Sequence, residues 1–192
     1  MKPVFILLAW AALASGCASN VAPPQLYQLR SAPPAAVVAL PTSEVVQLLL
    51  PVALPELLER GALLLPQGQA GVQALAGHRW AEPLRDAVPR LLRQDLALWL
   101  GPPGVWTAPL PPGLVVTRQL RVEVLQLLAT SERNAVTLQA RWTLSDPSGR
   151  TPPRVEVTAL SAPSAGTDPD ALVAAHRLVL WKLAEQLAAA LR

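Results

Sequence analysis

Cysteine, tyrosine, phenylalanine and methionine each occur once in these 192 residues, and histidine only twice. A single thiol permits no internal disulfide, and Cys17 with His78 and His176 falls short of a four-ligand zinc site. Charged residues make up only 15% of the chain, and the basic ones are scattered. A nucleic-acid surface would need a clustered basic stripe. No GxSxG elbow, phosphate-binding Walker loop, GxGxxG or HExxH occurs. The two histidines lie far apart and neither adjoins a nucleophile motif. Hydrophobic residues reach 52%, yet no uninterrupted apolar run approaches the roughly 20 residues that span a bilayer as a helix.

The lone cysteine has a particular setting. Met1-Lys2 gives a positive start, Val4 to Ala14 is a short apolar run, and Leu13-Ala14-Ser15-Gly16 places small residues directly before Cys17. This is the layout of a secretory signal peptide. Its end resembles the lipobox of bacterial lipoproteins, although Ala14 stands where Leu is usual. That resemblance implies a diacylglycerol and an N-acyl chain such as palmitate on Cys17 and no other cofactor. Ordinary cleavage after Ala14 is the alternative, and it would export an unpaired thiol into an oxidising compartment. Ala18 rather than Asp after the cysteine implies the periplasmic face of the outer membrane. Removing residues 1–16 leaves 15 basic and 13 acidic residues. The expected organisation is a signal peptide over 1–16, a lipidated tether over 17–25 and a single domain over 26–192.

Within that domain the apolar spacing changes twice. Leu26–Arg30 and Glu44–Leu50 read as short strands, and Pro55–Arg60 as a helical turn. Ala62–Leu65 and Val72–Ala76 read as strands around the turn Pro66-Gln67-Gly68. Leu84, Val88, Leu91, Leu92, Asp95 and Trp99 then fall at helical spacing behind Glu82-Pro83. Pro89 interrupts this helix, predicting either a kink or a start near Asp86. Gly101–Gly113, with five prolines, reads as a loop. Three stretches of period two follow, with Leu120, Val122 and Val124, then Val136 to Leu144, then Val155, Val157 and Ala159 assigned to the buried face. Asp168-Pro169 opens a last helix whose stripe is Leu172, His176, Val179, Leu183, Leu187 and Leu191. The fold class is α+β, a mostly antiparallel sheet with two main helices on one face.

Few polar residues stand out. His176 on the apolar stripe reads as a satisfied core histidine. Asp95 is a buried acid, or it lies at the edge of the stripe or pairs with an arginine. Arg121, Glu123, Arg141 and Glu156 read as cross-strand ion pairs on the wet face, each worth under about 1 kcal/mol. The densest stretch is Gly77-His78-Arg79-Trp80-Ala81-Glu82-Pro83-Leu84. Trp80 could plug a gap between helix and sheet while Arg79 and Glu82 tie the junction. Arg79 and Trp80 could instead face a partner, since Arg and Trp are common interface anchors.

The Arg79–Leu84 stretch resembles a signature of the ABC-type transport auxiliary lipoproteins, the PqiC family of paraquat-inducible operons. Tyr27 and Leu29 soon after the tether agree with it, as do Leu54-Pro55 through Arg60 and the Cys17 lipobox. The resemblance implies a non-enzymatic protein of the outer membrane, a partner of the MCE-domain proteins that carry lipids between membranes. It also implies self-association, in the form of a homo-oligomeric ring. Two rival readings carry different requirements. A lipid-binding shuttle needs an apolar cavity of several hundred Å³ on the order of known ligand sites, and an envelope hydrolase needs a nucleophile–base pair.

Overall fold

The computed structural model describes residues 22–39 and 42–192; Cys17, the signal peptide and most of the tether lie outside the described residues. In chain order the elements are β1 (Gln25–Tyr27), β2 (Val46–Leu48), a 3-10 helix (Glu56–Arg60), β3 (Ala62–Gln67) and β4 (Gly71–Trp80). Helix α1 (Leu84–Leu100), β5 (Val105–Trp106), β6 (Arg118–Ala129), β7 (Ala135–Ser145), β8 (Arg154–Pro163) and α2 (Pro169–Ala190) follow. The α+β class holds, with the strands divided between two sheets. The larger has the order β5-β2-β6-β7-β8 and the smaller β1-β4-β3. Strands β6, β7 and β8 form an antiparallel meander. The parallel pairs involve the short strands, β1 with β4 and β2 with β5 and β6. One apolar cluster, with Leu63, Leu96, Leu138 and Leu183 among its members, joins both sheets and both helices.

Proline limits α1 less than the sequence implies. The helix starts directly after Pro83 and runs unbroken through Pro89. The hydrogen bond lost is the one to the carbonyl of Arg85, in the first turns, on a residue that is exposed and open to water. Nor is the proline-rich loop wholly irregular, because Val105 and Trp106 pair in parallel with Val46 and Gln47. Helix α2 is capped as expected, the Asp168 carboxylate accepting from the backbone N–H of Ala171 at 3.0 Å. All six of its stripe residues are buried.

The strand faces follow register. In β6 the buried positions are Leu120, Val122 and Val124, then Leu127 and Ala129. The phase slips because the pairing with β7 shifts between Val124 and Gln126, a bulge that inserts one extra residue. In β8 the expected face is reversed. Val155 and Val157 are 57% and 54% exposed, while Thr158 and Ala162 are buried. The cause is the partner strand: Ala140 and Val136 point inward on β7, and they lie opposite Thr158 and Ala162. The buried Thr158 hydroxyl accepts the Trp142 indole N–H at 3.1 Å, so the polar residue satisfies a donor that valine could not.

Candidate functional site

The corner from Gly77 to Leu84 is built where β1 joins β4. Tyr27 lies opposite Trp80 in a parallel register. The backbone N–H of Ala81 donates to Tyr27 O at 2.7 Å, and that of Trp80 to Gly61 O at 2.9 Å. Arg79 and Trp80 lie opposite Leu26 and Tyr27 on the same extended strand, so their side chains point to opposite sides. Trp80 is buried and Arg79 is exposed. The Trp80 ring meets the His176 ring edge-on, with centroids 5.4 Å apart at 73°. Neighbouring His78 faces the Tyr27 hydroxyl through Nδ1 at 2.9 Å. Burial pushes the Tyr27 phenol above its ordinary pKa, and Asp170 and then Asp168 add to the rise.

His176 itself is fully enclosed. Its Nδ1–H donates to Leu172 O at 2.7 Å, and burial lowers its pKa to about 4. It is therefore a neutral core residue at pH 7. The junction is tied differently from the sequence expectation. Glu82 pairs with Arg90 at 2.6 Å rather than with Arg79. The choice follows from geometry, because Arg90 stands on α1 beside Glu82 while Arg79 points away to solvent. Arg90 also donates to Ser31 Oγ at 3.0 Å.

Behind the corner lies a polar contact that the sequence only half indicated. Asp95 on α1 is fully buried, and Arg177 on α2 donates to both its carboxylate oxygens at 2.7 Å. The remaining Nε of Arg177 donates to Arg30 O at 2.8 Å, and the guanidinium lies 5.6 Å from the Trp181 ring. Burial raises the Asp95 carboxyl above its ordinary pKa, and the hydrogen bonds and charge of Arg177 work against that rise. A carboxylate on the inner stripe of a helix requires a cation opposite it, and that requirement is the signal that could have led to Arg177.

The other motif residues are spread over the fold. Leu29 and Leu84 are buried. Leu54 and Pro55 are partly covered ahead of the 3-10 helix, Glu82 is partly covered, and Pro83 and Arg60 are exposed. Of the wet-face charges, Arg141 pairs with Glu123 at 3.0 Å. Glu156 does not join them. It lies opposite Trp142, on the helix-facing side of the sheet, and accepts from Arg154 Nε at 2.6 Å.

Two clefts flank the helices. One of about 490 Å³ lies between β1 and the start of α2, bordered by Tyr27, Arg30, Asp170, Val173 and Arg177. Another of about 540 Å³ borders Pro51, Arg85, Pro89 and Arg93. Charged groups line both, in contrast to the dry lining an acyl chain would need. Among the described residues no three His, Cys, Asp or Glu side chains gather as metal ligands. No helix there is long and apolar enough to cross a membrane.

The fold is shared with solved proteins of low sequence identity. An uncharacterized protein superposes with a TM-score of 0.71 at 18% identity, over 89% of this chain and all of the other. Protein XCC0632 from Xanthomonas campestris, assigned to family DUF330, superposes with a TM-score of 0.62 at 16% identity, over 85% of this chain and 92% of its own. No curated protein sequence matches significantly. The family-model of the ABC-type transport auxiliary lipoprotein component matches residues 27–188, from Tyr27 in β1 almost to the end of α2. The chain belongs to the family of ABC-type transport auxiliary lipoprotein components.

Proposed function

We propose that this protein is a lipid-anchored adaptor at the periplasmic face of the outer membrane, serving an MCE-type system that carries lipids between membranes. The family match over residues 27–188 carries the reading, because it takes in the whole folded body rather than one motif. The lipobox ending in Cys17 supplies the anchor, and the domain supplies a rigid surface. In this reading an MCE-domain protein docks on that surface and the lipoprotein seats the end of the conduit, assembled as a homo-oligomeric ring. The protein contributes position, and no chemical step is assigned to it.

Arg79 is exposed at the corner where it can meet such a partner, whereas Trp80 is turned inward. The test is a pull-down of the MCE-domain protein of the same system by the lipidated protein and by Arg79→Glu. Retention by wild type and loss by the variant, with an unchanged melt, is the expected result. Failure of the wild-type protein to retain that partner, with phospholipid co-purifying one-to-one instead, would overturn the adaptor in favour of a lipid shuttle. Sedimentation of the same sample reads the oligomer.

A further inference from the structure

The smaller sheet carries a hairpin whose outer end has no cover among the described residues. Strands β3 and β4 pair down to Gln67 opposite Gly71, whereas β1 reaches β4 only from His78 onward. From Gly71 to Ala74 every residue of β4 is exposed. Across Gly61–Gly77 there is no charged side chain, and Val72 is 39% exposed. An open strand edge of this kind is ordinarily guarded by lysine, glutamate or proline. Beyond Pro66 none of these guards the tip.

The parallel register fixes where this tip points. Because β1 and β4 run the same way, the chain upstream of Gln25 enters β1 from the same end as the hairpin tip. That chain includes Cys17, eight residues before Gln25. Eight residues of chain can reach at most ~28 Å. From Ala62 to Gln67 the hairpin projects ~17 Å at the usual strand rise. The hairpin tip is therefore within chain reach of Cys17.

We propose that the hairpin tip, Pro66–Val72, rests in the headgroup layer of the bilayer that holds the lipid on Cys17. The inference rests on the lipoprotein reading. Its partner is a lipid surface, because the tip carries no ion whose desolvation would hold it back from the polar headgroup layer. The β6–β7 turn stands beside the tip across a cleft of about 430 Å³ that reaches Ser131 and Glu132. The charged Glu132 then marks the aqueous side of the contact. The β7–β8 turn at Ser148 lies at the other end of the long strands, away from the membrane.

The test uses the full-length lipidated protein in phosphatidylethanolamine–phosphatidylglycerol vesicles. Gln69→Cys or Ser148→Cys provides a free thiol for bimane, and intact mass reads the lipid on Cys17. Doxyl-labelled lipid should quench the Gln69 probe and leave the Ser148 probe bright, and adding Val72→Asp should relieve the quenching. With lipid present on Cys17, an unquenched Gln69 probe overturns the hairpin contact and leaves the anchor intact. Equal quenching at both positions, or shielding of Gln69 only when a protein partner is added, overturns it as well. A Cys17 without lipid removes the anchor and the inference together.

Discussion

Arg177 on α2 grips Asp95 on α1 with two hydrogen bonds of 2.7 Å, with the Asp95 side chain wholly out of water. The third direction of the guanidinium holds Arg30 O, so the pair fastens both helices to the segment that follows β1. Removing one partner strands the other charge in the core. Asp95→Leu or Arg177→Met alone is expected to cost about 3–5 kcal/mol, whereas the two together, an apolar pair, should be near neutral or stabilising. Urea unfolding of both single variants and the double variant checks this. A double variant as unstable as the singles would show that the pair does more than compensate itself.

His176 makes stability depend on pH. Its folded pKa is lowered to about 4, against about 6.5 in an unfolded chain. Between those values the unfolded state takes up the proton more readily, so stability rises with pH. The contribution is complete above about pH 6.5 and is lost as pH falls towards 4, to a total of about 3 kcal/mol. Chemical denaturation across pH 4 to 7 reads the slope, and His176→Leu should flatten it.

Trp80 and Arg79 are adjacent in sequence and opposite in environment. Trp80→Ala opens a hole beside His176 and is expected to cost about 3–5 kcal/mol. Arg79→Ala touches no buried group and should change stability by less than about 0.5 kcal/mol. Thermal melts of the two variants separate the residues, and a sharp loss in Arg79→Ala would mean that its exposed guanidinium is tied down after all.

Much of the architecture was legible because local signals agree. The helical spacing after Pro83, the Asp168-Pro169 start of α2 and the alternation in β7 each point to one structure, and each element forms. What escaped depends on partners distant in sequence. The bulge at Leu125 and the face of β8 are decided by pairing with β7, which a single strand's pattern cannot reveal. Val155 and Val157 have the β-branched shape that suits any strand, and at a sheet edge that preference acts without burial. Asp95 was visible as an anomaly, but its partner stood 82 positions away. The Arg79–Glu82 tie failed for the opposite reason, since Glu82 found Arg90 on the helix it introduces.

The face of β8 gives the sharpest test of register. Thr158 accepts the Trp142 indole N–H at 3.1 Å and the Gln186 amide at 3.0 Å. Thr158→Val preserves shape and removes that acceptor, leaving a buried indole donor unpaired. The expected cost is about 1–3 kcal/mol. Val155→Thr and Val157→Thr add hydroxyls on the exposed face and should stay within about 0.5 kcal/mol of wild type. Urea midpoints for the three variants decide the matter. If Thr158→Val were silent and the two valine variants costly, β8 would have to be turned over, with its valines in the core.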